Sequence, residues 1–285
     1  MRRLAFAAAL ALLAAGPTAG QAPDTVEDAY RDALRQSPTP LSLKRDQDDW
    51  LSDPQARDPE YAADMTERRL AALRRTAGRD LRLRTMAIRG DWTRECVDLG
   101  LTGCGTSMGG YMNGPDGARL HWQLQGGATD EDGVRGGVLF MAEGAEGLKP
   151  IAWAADAAVY DTPRLVGGEQ TYIVVPGVLA GSGGGRADAV FRWSGSDGAP
   201  RLTEVDVWSW RDDLARRLPA GLAVWQGVRI DYDQLSARTP LWRPNDGNCC
   251  PTGGAARLDF SLEGDRLVLE DVRVEPPSSS GGSRS

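Results

Sequence analysis

The chain predicts an α+β protein: a small N-terminal helical module, then a β-rich antiparallel, sandwich-like module with one short helix. Residues 25–77 are helix formers with almost no glycine, whereas from about residue 86 glycine is frequent and short β-prone runs alternate with turns. The apolar spacing changes at the same point, from helical steps to alternation. All four cysteines lie in the second part.

The N-terminus, "MRRLAFAAALALLAAGPTAGQAP", has a basic start in Arg2 and Arg3, an apolar run over residues 4–15 and small residues before a cut placed after Ala22. Residues 1–22 therefore read as a signal peptide. The run is too short to anchor, and no cysteine beside the cut accepts a lipid. The expected product is soluble, periplasmic or secreted, without a membrane anchor. The composition, 41% hydrophobic and 26% charged, is globular, and the net charge of −7 becomes more negative once Arg2 and Arg3 leave. Excess acid argues against nucleic acid or anionic lipid as partner and suits a cationic one, although it also serves solubility alone.

The helical module, residues 23–80, opens with "TVEDAYRDALRQ", where Val26, Tyr30 and Leu34 share a face. Pro38 and Pro40 end it. A second helix from Leu41 carries Leu43, Gln47, Trp50 and Leu51, breaks at "SDPQARDP", and a third places Tyr61, Met65, Leu70 and Leu73 near one side. Three such helices bury little alone and must lean on the larger module or a partner. The boundary is expected at residues 78–86.

In the β module, residues 86–275, "GPDG", "DEDG" and "GSDG" read as turn tips, and "LDFSLEGDRLVLEDVRVE" as two strands around residues 263–265, giving at least eight strands. "SWRDDLARRLP" reads as a helix with Ser209 as N-cap, Asp212 and Asp213 in its first turn, Arg216 and Arg217 near its end and Pro219 as stop. Residues 276–285 have nothing apolar to bury and read as a disordered tail.

Several motifs invite a chemical reading. "GTSMG" matches the nucleophile elbow, but no helix follows it and the single histidine, His121, stands in the strand-like "ARLHWQL" rather than near the C-terminus. "GSGGGR" lacks the helix that a phosphate cradle needs and reads as a hairpin loop. "TDEDG" lacks the later bidentate acid of a calcium loop and reads as a solvated turn. Asp206 and Asp231 are available as a glycosidase-like acid pair, a matter that spacing in sequence does not decide. No catalytic, cofactor-binding or metal-ligating residue is assigned, and no cofactor is expected. Nine tryptophans with only four phenylalanines suggest indoles used as core, yet Trp208 and Trp210 share a face if extended, and exposed indoles stack on sugars. Trp208, Trp210, Trp242 and Asp246 are the partner-binding candidates.

The stretch "LWRPNDGNCCPTGG" holds Cys249 beside Cys250, and Cys96 and Cys104 flank "VDLGLTG". Neither pair has the two-to-four-residue gap of a zinc site, and no Cys-x-x-Cys redox motif is present. Crosslinks remain, with three pairings open to four cysteines. Cys96 to Cys104 with Cys249 to Cys250 is favoured over crosslinks between the pairs, because glycines let the first loop close and an adjacent bridge is tolerated in irregular backbone. Either arrangement makes residues 245–254 a rigid corner.

The pairs Ala29–Tyr30 and Ala33–Leu34, then Gln47, Trp50, Leu51 and Arg57, then Arg69, Leu70 and Leu73 resemble the N-terminal domain family of LprI-type lysozyme inhibitors, over residues 26–75. That family's helices carry stapling cysteines, and this segment has none. The resemblance implies a periplasmic helical domain and, further off, a muramidase target. "DGNCCPTGG" before a final hairpin resembles the end of other secreted bacterial proteins of undefined role. The expected function is a non-catalytic exported binding protein, a lysozyme-type muramidase inhibitor by resemblance and by its acidity. The alternatives are a glycan or peptidoglycan binder using exposed tryptophans, and a hydrolase with an acidic pair.

Overall fold

The structure, a computed structural model, describes residues 25–277 except 98, 116, 130–132, 168–169, 182–183 and 196–198. The expected signal peptide, most of the expected tail and the centres of "TDEDG", "GSDG" and "GSGGGR" lie outside the described residues.

Three helices come first. Helix α1 (Val26–Gln36) is capped by the Thr25 hydroxyl, which accepts from the Asp28 N–H, and Glu27 and Asp28 sit in its first turn, where the helix dipole favours them. Helix α2 (Pro40–Ser52) opens on a proline, whose missing N–H costs nothing there. A 3₁₀ turn (Pro54–Arg57) leads to α3 (Ala62–Thr85). Helix α3 runs straight through Gly78, whose surroundings are open, so the helical part ends at the far edge of the expected boundary. Its length gives it two roles: Leu73 packs with Ala29 and Ala33 inside the helical packet, while Leu83 enters a core shared with the first sheet.

The β-rich body stacks three four-stranded antiparallel sheets. The first is a meander of β1 (Thr102–Asn113), β2 (Arg119–Thr129), β3 (Gly133–Gly144) and β4 (Gly147–Ala154). Next come the short strands β5 (Val159–Tyr160) and β8 (Gly177–Val178), which pair with each other. The second sheet holds β6 (Arg164–Gly167), β7 (Thr171–Val175), β9 (Ala189–Ser194) and β10 (Arg201–Glu204) in the order β10-β9-β7-β6. Helix α4 (Trp210–Arg217) precedes the third sheet of β11 (Ile230–Asp231), β12 (Ser236–Pro240), β13 (Ala255–Glu263) and β14 (Arg266–Glu275).

Strand β7 shows why the expected sandwich gains a layer. Its alternate residues Tyr172 and Val174 join Leu258, Phe260 and Trp210 in one core, while Ile173 and Val175 join Leu120, Val138 and Phe140 in another. A strand that is apolar on both faces needs a cover on each. The first sheet's other face carries Leu139, Met141 and Trp153, which Leu83 of α3 with Ile88, Val97, Leu99 and Leu101 covers.

Ser209 does not cap α4 through its side chain. Asp206 does that work, accepting from the N–H groups of Trp208 and Ser209 at 2.9 and 3.0 Å, because a carboxylate two or three residues upstream reaches donors that a hydroxyl in helical backbone does not.

Candidate functional site

Among the described residues, polar and aromatic side chains gather at the junction of helices with sheets and at the corner around the adjacent cysteines. At the junction the Glu204 carboxylate, from β10, takes the N–H groups of Leu41 (2.6 Å) and Ser42 (2.9 Å) and the Ser42 hydroxyl (2.6 Å). It thus caps α2 from 162 residues away in sequence. Burial pushes its acid up, the three donors pull it down, and burial prevails, leaving it at about 7. Asp156, Asp188 and Glu204 line one void of about 10 Å³. That volume holds roughly one water, far below the several hundred Å³ of a sugar site. Asp188 is further occupied by Arg186, the Gly177 N–H and the Tyr232 hydroxyl. The space enclosed by the three carboxylates is filled, and the cluster docks α2 onto the sheet.

Other keys lie beside it. The Trp153 indole donates to fully buried Asp80 of α3 at 2.9 Å. Trp208, half-buried, has the guanidiniums of Arg45 from α2 and Arg211 from α4 at 3.9 and 4.1 Å from its ring. Burial lowers Arg211 to about 10. Gln47, buried, accepts from Arg69 of α3 at 2.9 Å, with Trp50 alongside, which makes these residues a packing node between helices.

The sequence candidates fall as follows. Ser107 of "GTSMG" lies within β1, where the register to β2 shifts between Thr106 and Met108, and not at a strand-to-helix elbow. His121 is packed between Trp92 and Tyr111, with ring centroids at 5.4 and 6.4 Å. Asp206 and Asp231 are each engaged by nearby backbone: Asp206 caps α4, and Asp231 accepts from the N–H groups of Asp233 and Gln234. Burial pushes Asp206 up, but the donors from Ser209 and Trp208 outweigh it and hold it below the usual carboxylate range. Among the described residues no three or more His, Cys, Asp or Glu are placed to hold a metal, and no helix is long and apolar enough to cross a membrane.

Of the partner-binding candidates, Trp210 and Trp242 are each 1% exposed and so cannot present a surface. Both indoles serve the core, as the scarcity of phenylalanine suggested. Asp246 is a clamp. It accepts from the Arg243 N–H (2.7 Å), the Thr252 N–H (2.8 Å) and the Thr252 hydroxyl (2.7 Å), and these donors hold it below the usual carboxylate range.

The clamp organises the corner. Residues 241–254 leave β12 and return to β13 through a base closed by two backbone bonds between Leu241 and Gly253–Gly254, at 2.9 and 3.0 Å. Gly254 has φ +90°, and a Cβ there would strike the Glu275 carbonyl, so the turn needs glycine. At the tip, Cys249 and Cys250 are paired with each other, Cα atoms 3.8 Å apart, and Cys96 is paired with Cys104, arrangements compatible with two disulfides. Next to the loop stands Trp225, 47% exposed, stacked on buried Trp242 at 6.3 Å and 13°. Backbone bonds between Ala223 and Trp242 fix that stack, and the Gln226 amide donates to the Asn248 carbonyl at 3.3 Å. Sequence reasoning passed over Trp225. Its signal was its place in "LAVWQGV", where an indole closes an apolar run just before a glutamine and a glycine.

No family model, curated protein or solved structure matches this chain. The likeness of residues 26–75 to LprI-type domains rests on those residues alone.

Proposed function

We propose that this is a non-catalytic, exported binding protein whose corner around Trp225 and the Cys249–Cys250 pair takes a cell-envelope glycan. The carrying observation is the orientation of Trp225: a half-exposed indole held flat by a buried one, beside a clamped loop. Leaving an indole in water forfeits apolar burial, and fixing it beforehand removes the ordering cost of stacking on the apolar face of a sugar ring. The Gln226 amide, donating to the Asn248 carbonyl, puts a group that is both donor and acceptor beside the platform. Export rests on the N-terminal residues and suits two oxidised cysteine pairs. The test is fluorescence titration with N-acetylglucosamine oligomers and pull-down on sacculi. Wild type binds saturably, and Trp225→Ala loses about tenfold or more, in line with 1–3 kcal/mol for a stacked aromatic platform. Equal binding by the variant sinks the reading.

A second reading, muramidase inhibition, is favoured by the tip between α2 and α3. Leu51 and Tyr61 are 52% and 49% exposed there, among the carboxylates of Asp49, Asp53, Asp58 and Glu60. Apolar anchors inside an acidic rim suit a cationic enzyme. Inhibition of a lysozyme panel, weakened by salt and by Leu51→Ala with Tyr61→Ala, is the expected result; full activity at high micromolar protein removes it.

A further inference from the structure

Strands β12, β13 and β14 put three arginines in one row. Arg238 stands directly opposite Arg257, and Arg257 directly opposite Arg273. Like charges facing each other across a ladder are destabilising, so the row detracts from the fold. The outer two are compensated: Arg238 pairs with Glu275 at 2.9 Å, and Arg273 with Asp259 and Asp271. The central one is not.

The row borders an open cleft of about 480 Å³ that also receives Arg164, Arg229, Asp231 and Asp233. Arg164 is taken by Asp233 at 2.5 Å, and Asp231 is turned to the backbone of its own turn. Among the described residues, Arg229 and Arg257 have no carboxylate partner and no hydrogen bond, although both line the cleft of a protein with net charge −7. A second arginine-lined groove, between helices and β4, differs: Arg69 is held by Gln47 and Asp46, Arg79 by Asp80, and Arg135 by the Asp156 carbonyl.

We propose that this cleft is a binding site for a tetrahedral dianion, the phosphoryl group of free phosphate or of a phosphate monoester. Two uncompensated guanidiniums match two negative charges, and each presents a planar fork suited to phosphoryl oxygens. A bound dianion also relieves the repulsion along the row, which gives the row a purpose. The site is independent of the glycan platform, since no residue is shared.

Calorimetry at pH 8 and low salt, with inorganic phosphate, glycerol 3-phosphate and acetate as probes, tests it. Wild type binds phosphate, its monoester or both, saturably and more tightly than acetate, and which one binds identifies the source. Arg257→Ala and Arg229→Ala each weaken binding about tenfold or more, while Arg94→Ala and Trp225→Ala leave it unchanged. The variants are expected to fold, with Arg257→Ala melting no lower than wild type in phosphate-free buffer. Phosphate then raises the wild-type melting temperature more than the variants'. No saturable binding by ~10 mM ligand, acetate binding as tightly as phosphate, or wild-type affinity for phosphate retained in either arginine variant overturns the proposal.

Discussion

The packet of α1, α2 and α3 and the stacked sheets are held together by different forces. Among the described residues the packet's own buried core is Ala29, Ala33 and Leu73, two of them alanines, whereas eighteen buried side chains fill the space between the second and third sheets. Burial at about 25 cal/mol per Å² therefore favours the sheets heavily. The packet compensates with directed polar contacts to its neighbour: Glu204 on the start of α2, Asp80 on the Trp153 indole, and Trp208 against Arg45. Apolar burial is indifferent to pH, and the Glu204 contact is not. One molecule thus joins a robust body to an attachment that responds to protons.

The largest effect belongs to the body. Leu258→Ala, at a fully buried position in β13, is expected to cost about 2–5 kcal/mol and to lower protection throughout the sheets, as read by hydrogen exchange. Glu204 comes next. Its acid lies at about 7 when folded against 4.5 in its ordinary state, so the folded protein holds the extra proton between those values and stability falls as pH rises from about 4.5 to about 7. The full swing is about 3 kcal/mol. Glu204→Gln, which stays neutral, is expected to flatten the difference in melting temperature across that window; an unchanged slope removes the acid from the account.

Leu73→Ala is expected to cost about 2–3 kcal/mol, within the range for buried leucines, with exchange rising in residues 26–85 and little in β7 or β13. If β7 and β13 lose protection equally, packet and body form one cooperative unit and the contrast collapses. The smallest effect is Cys249→Ser with Cys250→Ser: a bridge between neighbours restrains almost no loop, so less than about 1 kcal/mol is expected. Glycan binding at the corner falls nonetheless, and glycan affinity equal to wild type in that double variant takes the cysteine pair out of the platform.

The division into helices and sheets was legible because it is written locally, in glycine frequency and apolar spacing, and the hairpin at residues 263–265 and the favoured cysteine pairing were legible for the same reason. What depends on distant strands was not. An indole reads alike whether exposed, as Trp225, or buried, as Trp210 and Trp242; only the neighbours supplied by the fold decide. The arginine row exists only in the register of β12, β13 and β14, which one residue of slip would abolish. Glu204 lies in "RLTEVDV" with no local hint that its partner is Ser42. The corner is intermediate: its turn residues were readable, and its clamp by Asp246 was not.

The two-faced middle sheet also bears on the order in which the chain emerges. Until residues 255–275 have been made, Val174 and Val190 lack the strands that shield them, and a chain cut short before β13 displays a sticky apolar wall. Truncations there are expected to precipitate, whereas trimming residues 26–52 spares that wall its exposure.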